Sequence, residues 1–185
     1  MTLIAADFGK LGRSTLMSVA SMLALAILAP VLVAALRADS IPAVKLNADQ
    51  IAPRAIEELT GRNVTRDYAY AWRDLAAASE SARADLLNDY FTGFAKDKLV
   101  RRIADQQKTG VRIRYIDHGH NVRALFYAPD GGEMQLVDNA QLEIEIRDGS
   151  KIIYREKVKR QYLVLMTPGA DRWFVRSLDQ MADHP

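Results

Sequence analysis

One uncharged apolar run near the amino terminus constrains this chain more than any other feature. The run "STLMSVASMLALAILAPVLVAAL" extends over 23 residues, from Ser14 to Leu36. At about 1.5 Å of rise per residue a helix of this length spans about 34 Å, which exceeds the hydrocarbon core of a bilayer, about 30 Å. Export signals have a shorter apolar region, of about 7–15 residues. We therefore expect a transmembrane helix at 14–36 that anchors the protein.

The flanking charges predict how this helix is oriented. Lys10 and Arg13 precede it, so the basic excess lies on the short amino-terminal side. Positively charged flanks stay in the cytoplasm. This predicts a cytoplasmic tail at 1–13 and a periplasmic domain, in a single-pass protein of the bacterial inner membrane. A small-residue cleavage site at 33–35 keeps a removable signal peptide open as the alternative.

Small side chains recur along the apolar run at spacings of three and four residues. Such residues let two membrane helices approach closely, although alanine-rich spans are common without any such role. The candidate residues for packing against a partner helix are Ser14, Ser18, Ala20, Ser21 and Ala24.

Composition excludes several classes of function. The 25 basic residues nearly balance the 23 acidic ones, with a net charge of +2. Nucleic-acid binding needs a concentrated basic face, so we do not expect it. The chain has no cysteine, which excludes disulfides, thiolate catalysis and cysteine-ligated metals.

After the apolar run, residues 37–52 lack a sustained period and predict a linker. Residues 53–182 form the predicted domain. A short helix starting at Pro53 is expected to end at Gly61, and a second helix to start with Thr65 as its N-cap. A break is expected near 79–81, and the helical segment that ends the first half stops at Gly110.

Beyond Gly110 the apolar period changes to two, which indicates strands. "VRIRYI" and "NVRALFYA" are predicted as two strands joined by the connection "DHGH". Turns are expected at 129–132 and at Asp148-Gly149, and the chain closes with the strand "RWFVRSL". Helices followed by a meander of four to six antiparallel strands predict an α+β fold, with the helices packed on one face of a curved sheet.

The order of these elements and the segment "QYLVLMTPGADRWFVRSL" resemble the nuclear transport factor 2-like superfamily, the cystatin-like cone. In that group a tryptophan opens the last strand, and Trp173 takes this place here. The layout of tail, span and cone is also similar, more weakly, to the inner-membrane subunit of type IV secretion systems. The resemblance implies a cone-like domain that is either an interaction module or a pocket for an apolar ligand.

Enzymes on such cones use inward-pointing acids and phenols. The candidates of these types are Tyr115, Asp117, His118, His120, Tyr127 and Asp138. Because the charged ones lie in or beside turn signals, we interpret "DHGH" first as a solvated connection. Its two histidines fit a metal site only with a third, and His184 lies at the far carboxyl end. We therefore expect no metal, cofactor or catalytic residue.

A concentration of basic residues is the remaining candidate site. It predicts a contact surface for an acidic partner or lipid headgroups, or else an ordinary solvated helix face. Its members are Lys98, Arg101, Arg102, Lys108, Arg112 and Arg114. We interpret the chain as a non-catalytic accessory subunit of an envelope transport, secretion or energy-converting complex. Its expected partners are other membrane subunits and the bilayer, with a homo-oligomer as an open alternative. A small enzyme or lipid-binding cone, and a secretion core component, remain the other interpretations.

Overall fold

The computed structural model describes residues 41–49 and 51–182. The predicted span at 14–36, with its packing residues Ser14, Ser18, Ala20, Ser21 and Ala24, lies outside the described residues. None of the helices in the described part of the chain is long and apolar enough to cross a membrane.

Two helices and five strands form one α+β domain. In chain order the elements are β1 (Val44–Asn47), α1 (Glu58–Ser81), a 3₁₀ turn (Ala84–Leu87), α2 (Gly93–Thr109), β2 (Val111–Tyr127), β3 (Met134–Asp148), β4 (Lys151–Pro168) and β5 (Trp173–Gln180). The strands follow one another in the sheet in this same order. The predicted α+β class, with helices packed on a sheet, is confirmed.

The sheet is mixed, where sequence predicted an antiparallel one. β2 to β5 are antiparallel neighbours, but β1 lies parallel to β2, with Val44 opposite His120 and Asn47 opposite Arg123. β1 falls inside the segment predicted as a linker. Its Val44 and Leu46 side chains pack against the core. A strand of four residues is too short for its alternation of apolar and polar side chains to be recognised in the sequence.

A single helix replaces the two predicted before residue 82. Gly61 lies in the first turns of α1 and does not end it. Thr65 is not an N-cap, because its hydroxyl donates to the Gly61 carbonyl oxygen one turn earlier, at 2.8 Å. The predicted break near 79–81 is confirmed, since α1 ends at Ser81 and Ala82 has a φ of 51°. Gly110 ends α2 as predicted, with a φ of 75°.

The core lies between the two helices and one face of the sheet. α1 supplies Tyr68, Trp72 and Leu75, and α2 supplies Leu99 and Ile103, all of them buried. Inward residues of β3 alternate with outward ones, so that Met134, Leu136, Ala140 and Leu142 face the same core. The predicted turns at 129–132 and at Asp148-Gly149 are confirmed as the connections that flank β3.

β2 is one continuous strand, where two were predicted. The "DHGH" segment forms a bulge inside it, at which the pairing with β3 shifts between Asp117 and Gly119. The interpretation of this segment as a solvated connection is wrong, and the bulge positions a cluster of buried polar side chains.

Candidate functional site

A buried polar cluster lies between α1 and the sheet. We call it the histidine network; it consists of Tyr68, Asp117, His120 and Asp138. Asp138 Oδ2 accepts the Tyr68 hydroxyl at 2.8 Å and lies 2.7 Å from His120 Nδ1. His120 Nε2 lies 2.7 Å from Asp117 Oδ2. The side chains of His120 and Asp138 are completely buried, so this is a charged network inside an apolar core.

The bulge in β2 makes the network. Residues three apart on a regular strand point to opposite faces of the sheet. Asp117 pairs with Leu142 and His120 pairs with Ala140, two inward positions of β3, because the bulge adds a residue between them. Gly119 takes a φ of 121° there, and its N–H donates to Asp117 Oδ1 at 2.7 Å. Asp117 and His120 therefore share a face.

The two carboxylates determine the charge of His120. Burial by itself lowers the pKa of a histidine, because it penalises the charged form. Hydrogen bonds to Asp117 and Asp138 outweigh that penalty and raise the pKa of His120 to about 9. At neutral pH the ring is an imidazolium that donates both of its N–H groups, so neither nitrogen is left to accept a proton.

The rings of Trp72 and Tyr68 pack against the imidazole of His120. The ring centroids of Trp72 and His120 lie 4.6 Å apart with an interplanar angle of 38°, a geometry that favours a cation beside an indole. Two buried polar atoms here have no hydrogen-bond partner among the described residues, Asp138 Oδ1 and Trp72 Nε1.

The interior cavity beside Trp72 is small. It has a volume of about 50 Å³ between α2 and the sheet, room for a water or two. Its aromatic lining is Trp72, Tyr115 and Tyr162, and Arg102 also borders it. Burial raises the pKa of Tyr162 to about 12, so this phenol stays neutral. Three larger depressions of the described surface, of about 460–530 Å³, do not include any residue of the network.

The other predicted candidates do not join the network. His118 is 44% exposed and lies 3.7 Å from Glu143, so the His-x-His spacing does not bring two imidazoles together. Tyr127 is buried against Trp173, the first residue of β5, at a centroid distance of 6.3 Å. In the described part of the chain, no group of three or more acidic or histidine side chains is arranged to hold a metal ion.

The predicted basic residues have different partners and surroundings in the described structure. Lys98 pairs with Asp179 at 3.1 Å and Lys108 with Asp105 at 3.3 Å. Arg112 donates to the Gln106 carbonyl oxygen. Arg101 is exposed on α2, and Arg102 borders the interior cavity. A common contact surface formed by these residues stays a prediction.

A second buried charge lies at the far end of the sheet. Glu145 is 1% exposed and stands in register between Arg114 on β2 and Arg155 on β4. Burial favours the neutral carboxyl, but hydrogen bonds from Arg155 and Arg147 outweigh it and lower the pKa of Glu145. Arg114 also reaches Glu80 on α1, at 3.5 Å. These arginines neutralise a buried acid, which is a structural role.

The sequence groups Asp138 with the charged residues that lie in or beside turn signals, and its burial within a strand is not predicted. Asp138 lies in the middle of β3, on the same face as Leu136 and Ala140. In "LVDNAQL" the aspartate is two residues from a leucine and two from an alanine, so the alternation of a strand places it on the apolar face. A carboxylate buried there needs a hydrogen-bond donor or a cation as its partner. The partners Tyr68 and His120 lie 70 and 18 residues away, and nothing local in the sequence indicates them.

Comparison with known proteins shows a fold and no family. No protein-family model matches the chain, and a search of curated proteins finds no match. Among solved structures, the intermembrane space region of chloroplast protein ARC6 matches with a TM-score of 0.60 and 13% identity, over 71% of this chain and 100% of that one. A polyketide cyclase described as putative, from Bacillus cereus ATCC 10987, matches with a TM-score of 0.37 and 8% identity, over 78% of this chain and 86% of that one.

The two structural matches support different conclusions. A TM-score of 0.37 is below the level at which two folds count as the same. The ARC6 match, with a TM-score of 0.60 and 13% identity, shows the fold alone. Membership in the superfamily that the Trp173 segment resembles is therefore not established. The chain shares the fold of the ARC6 intermembrane space region.

Proposed function

We propose that this chain is a non-catalytic, single-span accessory subunit of a bacterial membrane protein complex. In this proposal the helix at 14–36 anchors it, and the domain of residues 41–182 docks on partner subunits outside the cytoplasm. The observation that carries the proposal is the filled interior of the domain. The cavity beside Trp72 measures about 50 Å³, whereas pockets for small molecules measure about 300–1,000 Å³. The three described depressions of that size are open surface features, and none is lined by a residue of the histidine network.

The histidine network supports the same conclusion. A general base needs a free lone pair within reach of a substrate. Both nitrogens of His120 are bonded to carboxylates, and Asp138 and Tyr68 are sealed from solvent. The network therefore fits a structural role that joins α1, β2 and β3.

The structural neighbour supports the proposed location. The ARC6 domain is described as an intermembrane space region, which is a compartment between two membranes. A periplasmic domain of the same fold would work in an equivalent compartment.

Purification from the native membrane tests the proposal. The full chain is extracted in mild detergent, and the proteins and small molecules that come with it are identified by mass spectrometry. We expect membrane subunits in fixed ratio to the chain. A solitary monomer, or a freely soluble protein that begins near residue 36, would contradict the proposal.

A matched pair of variants sharpens this test. Replacing Ser18 and Ser21 by leucine removes small residues from the face proposed to pack on a partner helix. Replacing Met17 and Met22 by leucine changes the neighbouring positions and keeps the hydrophobicity. We expect only the serine variant to lose the co-purifying subunits, while both stay in the membrane.

One observation favours a second candidate, a ligand-binding cone. Asp138 Oδ1 is buried without a hydrogen-bond partner in the described structure, as is Trp72 Nε1. A small polar molecule that donated a hydrogen bond to Asp138 Oδ1 would satisfy that atom. Native mass spectrometry of the purified protein separates the candidates, because a stoichiometric small molecule lost in Asp138→Ala would favour ligand binding.

A further inference from the structure

One edge of β4 has no strand beside it in the described structure. β4 extends over Lys151–Pro168, but its pairing with β5 begins only at Tyr162, opposite Gln180. The Met181 N–H donates to the Gln161 carbonyl oxygen at 2.9 Å and closes that contact. Residues 151–159 of β4 therefore present an open edge in the described structure, which we call the free edge.

The Gln161 contact also shows which backbone groups face outward. Along a strand the N–H and C=O groups of alternate residues point to the same side. The backbone carbonyl of Gln161 points away from β3, and the pairing of β3 with β4 is regular from Tyr154 onward. Arg155, Lys157 and Lys159 thus present their backbone donors and acceptors on the free edge, at the spacing that an added strand needs.

The side chains along this edge carry an excess of positive charge, with Lys157 opposite Glu143 of β3 and Lys159 opposite Gln141. Arg155 is engaged by Glu143, at 3.3 Å, and by Glu145. Lys157 and Lys159 lie on the same face of the sheet, and neither forms an ion pair with a described residue. An approaching segment therefore meets two unpaired lysines in a row.

Apolar side chains adjoin these lysines. Ile152, Ile153 and Tyr154 are 39%, 53% and 45% exposed. Tyr154 lies on the opposite face from the lysines. The same face carries Glu156, which accepts the Tyr154 hydroxyl, and Val158, which packs against the core. Contiguous exposed apolar side chains at the end of a sheet are typical of a protein contact.

Charge decides what can occupy this edge. Two copies that paired antiparallel about Lys157 would place Lys157 opposite its own copy and Arg155 opposite Lys159. Like charges directly opposite each other destabilise a strand pair. Lysines at an edge also prevent unspecific strand pairing. An acidic segment removes this barrier and turns the same lysines into an attraction.

We propose that the free edge of β4 binds an extended, acidic segment of a partner protein as a sixth strand. The segment has carboxylates on the side of Lys157 and Lys159, and on the other side apolar residues where it passes Tyr154 and Val158. This inference rests on the proposed docking function and specifies where docking occurs.

The test uses the full chain in mild detergent and a short labelled peptide that alternates glutamate and valine. A peptide with lysine in place of glutamate is the comparison. We expect binding of the acidic peptide to be at least about tenfold tighter, and to weaken as salt is added. Hydrogen exchange is expected to slow at the amides of Arg155, Lys157 and Lys159.

Lys157→Pro is the decisive variant. Its missing N–H belongs to the free edge and not to the pairing with β3, so the domain keeps its fold and only strand addition is blocked. We expect at least about tenfold weaker peptide binding. Lys157→Gln is expected to weaken binding less, since it keeps the backbone donor. Lys45→Glu, on β1 at the other edge of the sheet, is expected to bind as the wild type does.

Several results would overturn the inference. The first is that Lys157→Pro binds the acidic peptide as tightly as the wild type does. The second is that the wild type binds the glutamate and lysine peptides with equal affinity, or shows no saturable binding of the acidic one. The third is that the wild type forms a dimer that Lys157→Pro abolishes. If Lys157→Pro keeps the native membrane partners, docking occurs elsewhere and the proposed function stands. If the wild type has no partners, the proposed function itself fails.

Discussion

His120 carries its charge in the interior because two carboxylates hold it there. The Asp117–His120–Asp138 arrangement satisfies both ring N–H groups within a shell of Tyr68 and Trp72. A buried ion pair that loses one partner leaves an uncompensated charge, which is strongly destabilising. The network is therefore a point at which single substitutions have large effects on stability.

The pKa of His120 predicts how stability depends on pH. It is about 9 in the folded chain against 6.5 for a free histidine, so the folded state binds the proton more tightly. The resulting stabilisation, about 3 kcal/mol, is complete below about pH 6.5 and is lost as pH rises through about 9. Urea unfolding at pH 6–10 measures it. We expect His120→Gln to be less stable at pH 6 and to lack this decline.

His118→Gln is the control, since His118 is 44% exposed and lies outside the network. It should keep the decline of the wild type. An equally steep decline in His120→Gln would show that other groups cause it.

A second residue-scale prediction concerns Asp67, which is 1% exposed. Its Oδ2 accepts the Trp173 N–H at 2.8 Å and so joins α1 to the first residue of β5. Asp67→Ala leaves that buried N–H without a partner and should lower the free energy of unfolding by about 1–3 kcal/mol. Asp67→Asn keeps an acceptor oxygen and should cost less. Equal losses in the two variants, measured by urea denaturation, would argue against this role.

At the scale of elements, two glycines that look alike in the sequence behave differently. Both were predicted to end a helix, but only Gly110 does so, in the left-handed conformation. Gly61 lies within α1, where an added Cβ meets Ile56 Cγ2 at an ordinary contact distance of 3.6 Å.

Alanine substitution should change the stability of the domain in opposite directions at these two glycines. Gly110→Ala forces a side chain to a φ of 75° and should destabilise the domain by about 1 kcal/mol. Gly61→Ala improves helix propensity and should stabilise it by about 0.5–1 kcal/mol. Thermal unfolding followed by circular dichroism measures both. A loss of stability in Gly61→Ala would contradict the placement of this residue inside α1.

At the scale of the whole molecule, the helices and the sheet share one core, and β1 completes it. The Ala43 carbonyl oxygen accepts the His120 N–H at 2.9 Å, so β1 also holds the bulge that carries the network. In the described structure, the free edge of β4 is one of the places on the surface where a strand lacks a neighbour.

Two fragments test whether β1 is part of the domain. Residues 40–185 should fold alone and unfold in a single cooperative transition. Residues 53–185 lack β1 and should be less stable by about 2 kcal/mol or more, because Val44 and Leu46 no longer cover the core. Differential scanning calorimetry compares them. Equal transition temperatures would show that β1 adds nothing to the core.

The sequence by itself determined the features that repeat locally. An apolar period of 3.6 residues located the helical half of the domain, and alternation located the strands after Gly110. Asp148-Gly149 marked a hairpin turn, and Trp173 was placed where β5 begins. These features depend on which face of a helix or strand each side chain occupies. The spacing of neighbouring residues in the sequence is enough to predict that face.

Only the tertiary structure decided the rest. The bulge at Gly119 brings Asp117 and His120 to one face, against the alternation that the sequence shows. Asp138 and Tyr68 meet His120 through strand register and helix packing over long separations. β1 is too short to show a period of its own, and it forms because β2 offers an edge. Such contacts depend on how distant elements align, and no local pattern carries that information.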